Sequence, residues 1–178
     1  MDLLKAAGRA LACLAGTIML HAQAQPVAEP AIKAAFLYKF AAYVEWPAPV
    51  VPDAPFVIAT LAADDVAAEL AAILPGRAVA GRPAVVRRVL EGDSLKDVQI
   101  LFVGRGARDP RGAVEAGRRQ GALTVTETTL EHGGAISVVI AANRVSFEVS
   151  LEAAERGGHR ISSRMLSVAR RVVPRGTS

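Results

Sequence analysis

Residues 31–47 read AIKAAFLYKFAAYVEWP, and the fold turns on this stretch. Pro30 suits the first position of a helix, where its missing N–H costs no hydrogen bond. Ile32, Phe36, Phe40, Tyr43 and Val44 then stack on one side of a 3.6-residue helix. Lys33, Lys39 and Glu45 are the only charges. Trp46 precedes Pro47, and a residue before proline is pushed out of the α region, so the helix is expected to end there. Five of the chain's eight aromatic residues lie in this segment. The core is expected to form around them.

Outward from that helix, the chain has the size of one ordinary domain at 178 residues. It is 52% hydrophobic, which is globular rather than disordered. The pI near 9.7 rests on a net charge of only +4. No run of five like charges occurs, which argues against a nucleic-acid footprint. A mild attraction to anionic membrane surfaces is compatible with this balance. Lys5 and Arg9 precede an apolar run at 10–20, ALACLAGTIML, and Ala22-Gln23-Ala24 has the small-x-small form of a cleavage site. Residues 1–24 therefore read as a secretory signal cleaved after Ala24, with one domain at 25–178. The run is too short for a permanent bilayer span. Cys13, the only cysteine, sits inside it. Cleavage would leave no thiol for a disulfide or for cysteine catalysis.

The connector 48–55 is rich in proline and expected to be extended. FVIATL (56–61) reads as a strand covered on both faces. Asp64 and Asp65 offer an N-cap for a helix over 66–74, which Pro75-Gly76 stops. Strands follow at 84–89, 98–103 and 123–126, with a helix over 111–120 started by Asp109-Pro110. Residues 135–140 and 144–149 flank an Asn-containing turn and suit an antiparallel hairpin. A short helix at 151–156 and a helix at 164–173 capped by Ser162 complete the chain, leaving 174–178 loose. The fold class is α/β: one layered domain, a mixed sheet with helices on its faces and an antiparallel C-terminal hairpin.

No motif here carries chemistry. Gly-x-Ser-x-Gly is absent, and Ser162-Ser163 near His159 reads as a helix cap beside a surface histidine. His132 and His159 lie in glycine-flanked turns with no second histidine at helical spacing, and Glu131-His132 alone makes no metal site. Gly104-Arg105-Gly106 follows a buried strand, but the third glycine of a dinucleotide loop would fall at Asp109. Asp64-Asp65 reads as capping. Arg87, Arg88, Arg118, Arg119, Arg170 and Arg171 read as a solvated face. Trp46 reads as a core plug at the helix end rather than a ligand platform. No catalytic residue, metal or cofactor is expected.

Two stretches carry more than this. KAAFLYKF (33–40) with VEWP (44–47), and RVSFEV (144–149) with ISSRMLSVA (161–169), together resemble the signatures of the YfiR/HmsC-like family of periplasmic proteins. AGRP (80–83) and ILFV (100–103) lie between them in the expected order. The resemblance implies a regulator and not an enzyme. It implies a repressor that binds the periplasmic part of an inner-membrane diguanylate cyclase or a sensor kinase, and so controls cyclic-di-GMP and biofilm formation. An outer-membrane lipoprotein able to sequester the repressor, and a homodimer, are further partners it implies. Redox control through disulfides, proposed for the family, has no thiol here after cleavage. Partner contact is expected at Leu37, Tyr38 and Trp46 of the first helix and its end, and at Phe147 and Arg164 near the C-terminus. Two rival readings are a small-molecule sensor with a cleft near Trp46, and a hydrolase using Ser162 or Ser163 with His159.

Overall fold

The computed structural model describes residues 28–46, 54–141 and 144–175. The signal segment, Cys13 and most of the proline-rich connector lie outside the described residues. The architecture is α/β, with a mixed sheet of eight strands, a separate two-stranded ribbon and helices on both faces.

The sheet is built on β2 (Phe56–Leu61), β4 (Arg82–Val89), β5 (Val98–Val103), β6 (Leu123–Thr126) and β7 (Ile136–Ala141), which run parallel. β8 (Arg144–Ser150) returns antiparallel to β7 as the expected hairpin. β10 (Arg171–Val173) lies parallel to β8 at one edge, and β3 (Ala78–Val79) lies antiparallel to β4 at the other. β2 sits between β4 and β5, so the strand order reverses there as in a doubly wound sheet. All six residues of β2 are buried. Phe56 and Ile58 join one core cluster and Val57, Ala59 and Leu61 another, which is why this strand is apolar on both faces except at the buried Thr60.

Helix α1 (Glu29–Ala42) and α2 (Asp64–Ile73) cover one face. Helix α3 (Pro110–Arg119) covers the other, with Val114 in the second cluster. α3 is seated through Gly117, where a Cβ would meet Leu101 Cδ2 at 2.8 Å. Asp109 caps it by accepting from the Gly112 amide at 2.9 Å. α4 (Leu151–Arg156) is capped by Ser150 and the short α5 (Ser163–Leu166) by Ser162.

Several boundaries differ from the sequence expectation. α1 stops at Ala42, because Val44–Glu45 leaves the helix to pair as β1 with β9 (Arg160–Ile161). Trp46 remains tied to the helix end, its Nε1 donating to the Ala41 carbonyl at 2.7 Å. That carbonyl is one of the last four in α1, which lack intrahelical partners. The expected helix over 164–173 is four residues of helix followed by β10. Asp64 and Asp65 lie in the first turn of α2, not at its N-cap, which is Ala63 with no side-chain bond. Their charges still favour the helix N-terminus.

Candidate functional site

α1 is apolar on more than one side, and the structure sorts its residues. The flat line Ala34, Leu37 and Ala41 packs inward, each at most 1% exposed. Small side chains at i and i+7 around one leucine let the helix lie close to its neighbours. The bulkier Phe36 and Phe40 sit at the flank, where they meet Phe147 of β8. Phe36 and Phe40 stack at 5.8 Å between centroids, and Phe147 meets both edge-on at 5.7 and 4.9 Å. Edge-to-face pairs of this kind are worth about 0.5–1.5 kcal/mol beyond their buried area.

Beside this triad lies an apolar groove of about 210 Å³ between α1 and α5, lined by Phe36, Lys39, Phe40, Tyr43, Phe147, Arg164, Met165 and Val168. Met165 is buried at its base, while Val168 is 70% exposed. Lys39 and Arg164 are exposed at its rim, and neither makes an ion pair among the described residues. The groove is thus an aromatic floor with two free cations beside it.

The five residues expected from sequence do not form one face. Phe147 and Arg164 share the groove. Leu37 is fully buried and offers no surface in this structure. Tyr38 faces elsewhere: its ring lies under Arg77, 5.1 Å from the guanidinium carbon, and its hydroxyl reaches the Ala78 carbonyl at 3.4 Å. Trp46 packs edge-on against Phe56 at 4.9 Å and His159 at 5.4 Å, as a half-buried plug. His159 is itself buried, not a surface residue. Burial lowers its pKa, against an opposing interaction with the Gly121 backbone. Ser162 serves as a helix cap, its Oγ accepting from the Met165 amide at 3.3 Å.

One charged residue of α1 is central to the site's support. Lys33 is 5% exposed and pairs with Glu127 at the end of β6 and with Glu29 one turn earlier. Burial alone would lower the Lys33 pKa, but the hydrogen bonds and charges of Glu127 and Glu29 carry it upward. Glu127 Oε2 also accepts the Arg105 amide at 2.8 Å. The Gly104-Arg105-Gly106 loop, where a phosphate would have been considered, is therefore closed by the chain's own carboxylate. A Cβ at Gly104 would stand 2.1 Å from the Ala62 carbonyl oxygen, so β2 and β5 are closed together at their carboxyl ends.

Glu148 forms a second buried ionic node. Arg170 Nη1 donates to it at 2.8 Å and Arg171 Nε at 3.0 Å, which fastens β10 to the sheet edge. Among the described residues no three His, Cys, Asp or Glu side chains gather as metal ligands, and no helix is long and apolar enough to cross a membrane. His132 Nδ1 is engaged with Thr128 Oγ1 at 2.7 Å.

No curated protein matches the sequence significantly. A family model described as YfiR/HmsC-like matches residues 30–170. The match runs from the first turn of α1, through Lys33, Glu127, Glu148 and the groove, to the residue before β10. The chain therefore belongs to the YfiR/HmsC-like family, a family of periplasmic, non-catalytic regulators of cyclic-di-GMP signalling.

Proposed function

We propose that the protein is exported with cleavage after Ala24 and acts in the periplasm as an inhibitory regulator with no chemistry of its own. Its target is the periplasmic part of an inner-membrane diguanylate cyclase, whose output it lowers, and with it biofilm formation. An outer-membrane lipoprotein that sequesters the regulator would relieve the inhibition. The observation that carries this reading is the family match across residues 30–170.

The groove between α1 and α5 supports it by its chemistry. An aromatic floor with an exposed Val168 and cations Lys39 and Arg164 at the rim suits an apolar partner side chain flanked by carboxylates. Apolar burial supplies the affinity and the rim charges supply orientation and encounter rate. Deleting the gene should raise cellular cyclic-di-GMP, and tagged protein should bring the cyclase out of solubilised membranes. An unchanged cyclic-di-GMP level, with the cyclase expressed and no cyclase recovered, contradicts the proposal.

A small-molecule sensor is the second reading. Its supporting feature is a cavity of about 380 Å³ lined by Leu61, Val89, Leu95, Leu101 and Ala116, with Glu91, Asp93 and Asp109 at its wall. The β4–β5 connection is a loop rather than a helix, which leaves this part of the sheet thinly covered. Saturable thermal stabilisation by a metabolite, lost on Ala116→Phe, would favour it.

A further inference from the structure

On the face of the sheet opposite the groove, a concavity of about 230 Å³ lies where α3, the 3-10 turn Leu130–His132 and α4 meet. Arg111, Glu115 and Arg118 line it from α3, His132 from the turn and Arg156 from α4. The α3 residues fall at i, i+4 and i+7 and so share one side of that helix. Three guanidinium groups and an imidazole thus face one carboxylate.

That carboxylate is already engaged. Arg118 donates to Glu115 through Nε at 3.0 Å and Nη2 at 2.7 Å, and Arg119 stands 3.9 Å away. The Glu115 carboxyl is held below the usual range by the Arg118 hydrogen bond first, against desolvation, and then by the charges of Arg118, Arg119 and Arg156. The local field is therefore positive. Arg156 shares Glu152 at 2.9 Å on the exposed side of α4. Arg111 makes no ion pair among the described residues.

The histidine is held in place from beneath. His132 Nδ1 meets Thr128 Oγ1 at 2.7 Å, and the Thr128 carbonyl accepts from Thr126 Oγ1 at 3.1 Å and from Ser137 Oγ. The Thr128 hydroxyl can donate to or accept from Nδ1, so the ring can offer Nε2–H whether neutral or protonated.

We propose that this pocket is a binding site for a phosphate oxyanion. Guanidinium forks match pairs of phosphate oxygens, and Nε2–H adds a donor from a separate element. At about 30 Å³ for each water, the space holds one phosphate group with part of its hydration or a short ester arm. Free phosphate and the phosphoglycerol head group of an anionic lipid share this chemistry. The site is separate from the groove, so both can be filled at once.

The test uses the whole protein at fixed ionic strength. Titration with inorganic phosphate should give saturable amide shifts at Arg111, His132 and Gly133. Arg111→Ala with Arg156→Ala should weaken binding about tenfold or more, with an unchanged melting temperature. Arg111→Lys should recover part of the loss, and Val168→Glu, whose effect is on the groove, should leave phosphate binding unchanged. In a second arm, sedimentation with phosphatidylcholine vesicles containing phosphatidylglycerol, but not with phosphatidylcholine alone, identifies the lipid head group as the source if the double variant abolishes it. Saturable binding lost in the double variant, in either arm, supports the site. Absence of saturation in both arms, or binding that the double variant leaves intact, overturns it.

Discussion

α1 and α3 cover opposite faces of one sheet, and they do so by opposite means. α1 is apolar nearly all round. It buries Ala34, Leu37 and Ala41 at its centre and still has Phe36, Phe40 and Tyr43 to place, part of whose surface lines an open groove. α3 carries arginines around a narrow apolar line, and lies close only because Gly117 has no side chain. A helix with more apolar area than its own core needs leaves a contact surface. A helix with little apolar area leaves a charged one, whose meaning appears only when the side chains of neighbouring elements converge.

The anchoring of α1 is where the comparison can be broken most decisively. Replacing Glu127 by Leu leaves Lys33 buried with only the half-exposed Glu29, and should cost about 3–5 kcal/mol in denaturant unfolding. Adding Lys33→Met should recover much of that loss. The raised Lys33 pKa gives a second check. Its contribution is complete below about pH 10 and is lost as pH rises through the folded value, and Glu127→Leu should flatten that alkaline limb. Ion pairs on α3 make the contrast. Glu115→Gln should leave stability close to that of wild type, because the site is exposed and the pair is screened by solvent.

The next effect concerns the sheet edge. Glu148→Gln should cost about 1–3 kcal/mol, since a nearly buried carboxylate loses charge-assisted bonds from Arg170 and Arg171. β10 should fray before the rest of the domain, and trypsin should reach Arg170 and Arg171 while the core stays protected. Equal protection of β10 in wild type and variant would show that Val172 and Val173 hold the strand without the ion pairs.

A smaller effect is expected in acid. His159 is buried with a lowered pKa, so the unfolded chain takes up its proton at higher pH than the folded one. The stability it provides is present above about pH 6.5 and is lost as pH falls below that toward the folded value. Trp46, the sole tryptophan, stands 5.4 Å from His159 and should report the change in emission. His159→Leu should remove the dependence of both melting temperature and emission.

The class of fold and several elements could be read from the chain because their signals are local. FVIATL, VQILFV and LTVT are short apolar runs bounded by turn residues, and the structure places them as β2, β5 and β6. Along β8 Val145, Phe147 and Val149 pack into one core cluster, while Glu148 on the other face is buried too, so the strand is covered on both sides there. What escaped has long-range causes. The pairing of Lys33 joins it to Glu127, 94 positions away. The helix expected through Val173 gives way to β10 because Arg171 can bond Glu148 across the edge, and two β-branched valines favour extension. Leu37 lies on the inward line of α1 with Ala34 and Ala41, where small neighbours let the helix approach most closely. Phe147 and Arg164 share the groove with Val168, Lys39 and Met165, a grouping that exists only because α5 lies beside α1.

We propose that the groove between α1 and α5 is the inhibitory contact. Val168 is 70% exposed, so Val168→Glu should leave stability within about 0.5 kcal/mol of wild type. The direct measurement is cyclic-di-GMP in a deletion strain complemented with wild-type protein or with Val168→Glu at equal abundance. Wild type should return cyclic-di-GMP to its low level, and Val168→Glu should leave it as high as in the deletion. Full restoration by Val168→Glu would contradict the account.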